Sequence, residues 1–456
     1  MPLMTQVPLW RWSELCDALN QPVEFRAAGG PDVSRVVVDS RLCQAGDLFV
    51  ALPGDPGPRF NPSSRSSADG HDHIDDAVEH GAVAVLVQRP EFAEHLLGAK
   101  ALTISDTYDG LWDLGRYARG RLTSPLVAVT GSSGKTTAKT FLAAATGGYG
   151  SPGSFNNHIG VPLTLANAPA GKPLYVAEVG TNHPGEIAPL SRLAAPDLAI
   201  LLNVHAAHIE NFPSHEALVA EKCDIFEGLT DRNHAVWEHS LALDYGYSFG
   251  VDRQAHCVLS SLQGDRANYQ LFGETLTARV PGAARHNAMT LAAVLLSLKL
   301  LDFPLSAALE LEEAVIPAGR GRRHEVVGVT VVDQSYNANP DSMRAALEAF
   351  AAIPARRRLV FIGEMLELGD EAAPAHLALA NPLAQFEKVV CVGAGSEALA
   401  QTIDAEFYAA AEDVELERFA DQLETGDAVF VKGSNRVFWQ HQFVPELLSV
   451  LNSKLT

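Results

Sequence analysis

Residues 127–137 read VAVTGSSGKTT. The apolar run from Leu126 to Val129 suits a fully buried strand, Gly131 and Gly134 punctuate a short loop, and Thr136 to Ala145 contains no Gly or Pro, which predicts a helix. Strand, glycine loop and helix in that order make a phosphate cradle, because glycine lets backbone N–H groups close on an anion at a helix N-terminus. Lys135 can reach the outer phosphates, and the Thr136 hydroxyl is placed to ligate Mg²⁺. The spacing T-G-x-x-G-K-T-T is tighter than the general P-loop pattern, which would put glycine at Val129. From this stretch alone, an ordinary βα turn that carries GKT is the other account.

The chain has 456 residues, which at roughly 150 per domain suggests about three domains. Apolar residues make up 47% and charged residues 20%, and Ala-rich helical stretches alternate with Val/Ile/Leu-rich strands, so the fold class expected is α/β. No apolar run approaches the roughly 18 residues of a membrane span, and the first residues lack a long apolar signal segment, so a soluble, cytoplasmic protein without a membrane span is expected. Cys16, Cys43, Cys223, Cys257 and Cys391 show no paired spacing and read as buried thiols. The formal charge of −21 repels a polyanion and argues against nucleic acid as a partner, while local amides, Lys135 and a metal can still hold a small nucleotide.

A first α/β unit extends to about Ser105, with strands at 36–38, 47–52 and 82–87, a helix at 74–80, and a Pro/Gly/Ser-rich loop at 53–70. Ser40 and Arg41 in DSR could meet an anionic ligand; a capping Asp39-Ser40 pair followed by a surface arginine explains the stretch equally well. A second segment, 106–316, holds the phosphate loop, strands expected at 174–182 and 198–204, and a long helix at 284–301. Glu178 ends an otherwise apolar strand, where a carboxylate is costly unless paired or metal-bound, and a parallel sheet carries its chemistry at that edge. His208, past the next strand, and Lys222, on a helix of mixed polarity, read by themselves as an ordinary loop residue and a solvated lysine. The polar residues Arg285-His286-Asn287 read as helix caps. A third segment, 317–456, alternates strands at 329–332, 358–363, 388–393 and 427–433 with helices, which predicts a doubly wound, mainly parallel sheet.

TGSSGKTT, NNHIGVP, VAEVGTNHPGEI, NVHAAHIENF, HN at 286–287, GRGRRHE, VVDQSYNANPDSMRAAL, GEMLELGD and VKGS, in that order, resemble the Mur ligases over nearly the whole chain. The stretch DNPR, expected in the diaminopimelate- or lysine-adding relatives, is absent from the third segment. The resemblance is therefore to the branch that adds D-alanyl-D-alanine to UDP-N-acetylmuramoyl-tripeptide. It implies three domains: 1–105 gripping the UDP-substrate, 106–316 a central P-loop ATPase domain with a mainly parallel sheet, and 317–456 a Rossmann-like domain. It also implies ATP and Mg²⁺, an acyl-phosphate intermediate, ADP as product, and a monomer.

By the same resemblance, Gly131, Ser132, Ser133, Gly134, Lys135, Thr136 and Thr137 cradle the phosphates. Asn287 reads adenine, and Arg320 and Asp333 contact the nucleotide. Thr136 and Glu178 hold one Mg²⁺ and His208 a second, beside which Lys222 in AEKCDIF matches the lysine that this branch carries as a carbamate. Ser40, Arg41, Asn156, Asn157 and His158 fall where the UDP-substrate is held, and Tyr336, Asn337 and Asn339 line the dipeptide site. Asn435 stands where the family pattern KGSR has arginine, leaving Arg436 as the substitute. Two rival functions share the phosphate loop: a folylpolyglutamate synthetase-like ligase, which the UDP-type N-terminal segment disfavours, and a degenerate, nucleotide-sensing subunit, which the presence of Glu178, His208 and Lys222 disfavours.

Overall fold

Strands β1 (Arg35–Val37), β2 (Asp47–Val50), β3 (Ala84–Val87) and β4 (Lys100–Thr103) pair in sequence order, all parallel. Alternate residues divide between two apolar layers, as a sheet buried on both faces requires. Val36, Leu48, Val50, Leu86 and Leu102 pack with Trp10, Leu15, Leu111 and Leu114, while Val37, Phe49, Val85 and Val87 pack with Ile74 and Ala77. The helix Thr107–Arg121 starts where Asp106 accepts the N–H groups of Tyr108 at 2.8 Å and Asp109 at 3.1 Å, a cap worth about 1 kcal/mol. The computed structural model describes residues 8–22, 26, 28–57, 60, 68–92, 96, 98–205 and 211–453. His208 and half of the 53–70 loop lie outside them.

The chain divides into two units: Met1–Thr130, Thr146–Leu201 and Ala220–Val236 form one, and Gly131–Ala145, Leu202–Val219 and Trp237–Thr456 the other. Besides the four-stranded sheet, the first unit holds β5 (Leu126–Thr130), β6 (Tyr149–Gly150), β7 (Tyr175–Glu178) and β8 (Leu198–Leu201), parallel and in the order β8-β5-β7-β6. β7 and β8 stop earlier than the apolar runs suggest. Val179 N–H still donates to Val129 O at 2.8 Å, and the next residue turns away, Gly180 N–H donating to Asn156 O at 2.7 Å; a Cβ at Gly180 would lie 2.8 Å from Asn156 Cγ. The chain changes unit within β9 (Ala235–Glu238).

In the second unit, β10 (Tyr247–Gly250) pairs parallel with β11 (Cys257–Gln263), and β11, β12 (Arg266–Leu271) and β13 (Glu274–Arg279) form an antiparallel meander. The C-terminal sheet contains β14 (Arg322–Val326), β15 (Val329–Gln334), β16 (Arg358–Gly363), β17 (Lys388–Val392), β18 (Glu406–Tyr408) and β19 (Ala428–Lys432), in the order β14-β15-β19-β16-β17-β18. Only β14 runs antiparallel. One face packs through Val332, Ile362 and Phe430 on Met343, Leu347 and Phe350, the other through Val331, Phe361 and Val431 on Phe419, Phe443 and Leu447. The architecture is α/β, with mostly parallel sheets, as composition and alternation predict. Among the described residues no helix is long and apolar enough to cross a membrane.

Candidate active site

In the second unit, the phosphate loop leads into a helix that begins at Lys135, one residue before the expected start, and runs to Thr146. Gly131 has φ 155° and Gly134 φ 81°; a Cβ at Gly131 would come within 3.0 Å of Leu202 Cβ, and one at Gly134 within 3.1 Å of Thr290 Oγ1. Positive φ and close approach both require glycine here. Asn203 braces the loop with both ends of its amide: Oδ1 accepts from Ser133 N at 2.9 Å and Nδ2 donates to Ser133 O at 3.2 Å. Ser132 Oγ donates to His205 O at 3.1 Å, and Lys135 Nζ donates to Gly131 O at 2.6 Å. Thr136 and Thr137 are buried. Sequence reasoning did not single out Asn203, although it lies in the quoted NVHAAHIENF.

The helix Arg285–Leu300 opens without a side-chain cap; its N-cap is Ala284, which corrects the capping role given to Arg285-His286-Asn287. Asn287 is buried and donates Nδ2 to Pro281 O at 2.9 Å across the turn that precedes the helix. Ala284, His286, Asn287, Gly321, Arg323 and Gln334 border a cleft. Asp333 accepts from Gly319 N at 2.8 Å through Oδ2 and from Ser335 N and Oγ at 3.1 and 2.6 Å through Oδ1, so it joins the 317–321 turn to the start of the Asn-rich loop. The Arg320 guanidinium lies 4.0 Å from the Tyr336 ring centre, and Trp439 meets that ring edge-on. Asn339 spends its side chain as a cap, accepting from Ser342 N at 2.8 Å, and Pro340 opens the helix Pro340–Ala351. The Asn337 side chain is exposed. Lys432, which sequence reasoning passed over, is buried and donates Nζ to Asn337 O at 2.9 Å; burial, with Arg320 nearby, pushes it down to about 7.

In the first unit, Asn156 Nδ2 donates to Glu178 Oε1 at 2.9 Å, and Glu178 is 1% exposed, so two expected site residues meet at the carboxyl edge of β7. Asn157 Oδ1 accepts from Gly160 N at 2.9 Å and starts the short helix that follows. The His158 ring stacks on Phe60 at 4.4 Å, and His158 O accepts from Trp112 Nε1 at 2.8 Å. Ser40 is buried in a short turn capped by Asp39, while Arg41 is exposed and paired with Asp39 at 2.7 Å. Those local bonds fit the capping account of DSR.

Lys222 is 2% exposed, which corrects its reading as a solvated lysine. Its neighbour Glu221 accepts from Gly185 N at 2.6 Å and Ile187 N at 2.8 Å, fixing the loop after Glu178 and the start of the helix Ile187–Ala194. Nothing in AEKCDIF taken alone indicates that burial. Among the described residues, no three His, Cys, Asp or Glu side chains gather as a ready metal site.

Two family models match the chain, the Mur ligase middle domain over residues 129–297 and the Mur ligase, glutamate ligase domain over 319–435. The chain belongs to the Mur ligase family. Within that family its relatives include the UDP-N-acetylmuramoyl-tripeptide--D-alanyl-D-alanine ligase of Rickettsia prowazekii, 30% identical, covering 94% of this chain and 98% of the relative. The ligase of the same name from Escherichia coli K12 is 32% identical over 85% of this chain and 86% of its own. Among solved structures, the MurF ligase of Thermotoga maritima in complex with ADP superimposes with a TM-score of 0.74 at 27% identity, covering 92% of this chain and 98% of that one.

Proposed function

We propose that the chain is an ATP-dependent, ADP-forming ligase that joins D-alanyl-D-alanine to UDP-N-acetylmuramoyl-tripeptide in peptidoglycan precursor synthesis. One observation carries the reading: a glycine-enforced phosphate cradle with its lysine sits in a chain that matches a ligase of that name along 98% of its length. A free carboxylate is a poor acyl donor because oxide would have to leave. Transfer of the γ-phosphoryl group to the terminal carboxylate of the tripeptide forms a new O–P bond and releases ADP. The dipeptide amine then attacks the acyl carbon, the bond to phosphate oxygen breaks, phosphate departs with the electron pair, and the amine gives up a proton.

In this reading the backbone N–H groups of 131–137 hold the phosphates, and the Lys135 ammonium stabilises charge on the group in transfer. Thr136, Glu178, His208 and Lys222 are the residues that would hold Mg²⁺, which offsets repulsion between the carboxylate and the triphosphate. Asn287, Arg320 and Asp333 serve the nucleotide, with Ser40, Arg41, Asn156, Asn157 and His158 on the UDP-substrate. The domains are taken as 1–105, 106–316 and 317–456, and a cytoplasmic location goes with ATP as phosphate donor.

Phosphate release from ATP should require UDP-N-acetylmuramoyl-tripeptide and D-alanyl-D-alanine together; release that ignores the dipeptide overturns the reading. Asn337→Ala should raise the KM for the dipeptide about tenfold, since losing a partner of a bound polar group costs roughly 1–3 kcal/mol. An effect on the KM for ATP alone would reassign the loop to nucleotide binding.

A further inference from the structure

β15 and β19 are adjacent and parallel, with Asp333 opposite Val431 and Gln334 opposite Lys432. The loops that follow them, 335–339 and 433–437, therefore leave the sheet at the same edge. Two side chains of the second loop region reach main-chain carbonyls of the first: Lys432 Nζ donates to Asn337 O at 2.9 Å, and Asn435 Nδ2 donates to Tyr336 O at 3.2 Å. From the other side, Tyr336 N–H donates to Gly319 O at 3.1 Å, and Arg320 covers the Tyr336 ring. Consecutive carbonyls are thus held from one side while the Asn337 side chain stays exposed.

We propose that Lys432 and Asn435 are positioning residues that clamp the main chain of the Asn-rich loop and so present Asn337 to the incoming dipeptide. The clamp rests on the reading that this loop meets D-alanyl-D-alanine. Both bonds end on backbone oxygen, so they fix where the loop lies and leave its side chains for the ligand. Lys432 is suited to this as a hydrogen-bond donor rather than as half of an ion pair: burial and the Arg320 cation both disfavour its charge, and burial holds the neighbouring His286 neutral. Asn435, standing where the family pattern has arginine, supplies a short amide that reaches Tyr336 O.

The test uses the full-length enzyme and measures kcat and both KM values for Lys432→Met, Lys432→Gln, Asn435→Ala and Asn337→Ala. Lys432→Met and Asn435→Ala should each raise the KM for D-alanyl-D-alanine on the order of tenfold and leave that for ATP within about twofold. Lys432→Gln, which keeps an N–H donor, should recover part of the loss. The Lys432→Met/Asn435→Ala pair should cost less than the product of the single effects, because both act on one loop. If Asn337→Ala raises the dipeptide KM and the clamp variants do not, the clamp is wrong and the loop reading survives. If Asn337→Ala has no effect on the dipeptide, the loop reading fails and takes the clamp with it. Should Lys432→Met fail to fold, the half-buried Asn435 decides alone.

Discussion

Lys135→Ala is expected to abolish ligation. Gly131, Gly134 and the Asn203 amide still hold the loop when the Lys135 Nζ bond to Gly131 O is lost, so the cradle should persist in the variant. What disappears is the ammonium that lies over the loop, 2.6 Å from Gly131 O, at the start of the helix. As the phosphoryl group passes from ATP to the carboxylate, charge builds on its oxygens, and a fixed cation there acts mainly in the transition state. Removing one such donor costs about 2.7–4 kcal/mol, or on the order of a hundredfold to a thousandfold in kcat. Initial rates of phosphate release measure it, and ADP titration should show binding weakened far less than turnover. A variant that keeps more than about a tenth of the wild-type rate has lost under about 1.4 kcal/mol, and the loop is then not the site of transfer.

The cradle was legible because its signals are local. A buried β run, glycines where the backbone turns, and a glycine-free helix are set by residues within a dozen positions of one another. The C-terminal sheet was legible for the same reason: RLVFIG and KVVCVG are short apolar runs bounded by breakers, and the strands observed match them to within a residue. The meander at 257–279 gave weaker signals, since its strands are partly polar and one face is exposed. The strands expected at 174–182 and 198–204 stop at Glu178 and Leu201: past the first, Gly180 N–H turns to Asn156 O, and past the second, Asn203 turns its amide to the phosphate loop.

Side-chain roles were legible where chemistry at one position decides them and obscure where the tertiary structure does. Glu178 stood out as a carboxylate in an apolar strand, and it is buried against Asn156. The resemblance puts Asn157 and Asn339 at the substrate, and each spends its side-chain oxygen on the N-terminus of the helix that follows. The partners of Asn203, Lys432 and Asn435 lie 70, 95 and 99 residues away in sequence, so nothing local shows what these side chains hold. A lysine at the end of AVFVKG looks like a strand meeting solvent; only the neighbouring strand's loop makes it a buried donor.

Lys222 carries the second large expectation. On the helix His215–Cys223 it is 2% exposed, beside Glu221, whose carboxylate is committed to the backbone of Gly185 and Ile187. The family resemblance assigns this lysine a carbamate: the neutral amine adds CO₂, a C–N bond forms, and one proton leaves. That turns a cation into an anion with two hard oxygens, the donor type a divalent ion selects, whereas an ammonium would repel it. Lys222→Ala should therefore lose most activity, on the order of a hundredfold or more if it removes electrostatic stabilisation of the size assigned to Lys135. A small carboxylate such as acetate or formate, supplied at high concentration, should restore part of the rate by replacing the missing oxygens, and it should do nothing for Lys135→Ala. Intact-mass measurement of gently handled protein gives a readout free of activity: a CO₂ adduct mapped to Lys222 and absent from the alanine variant. An unmodified amine together with a fully active alanine variant would reduce Lys222 to a buried structural lysine.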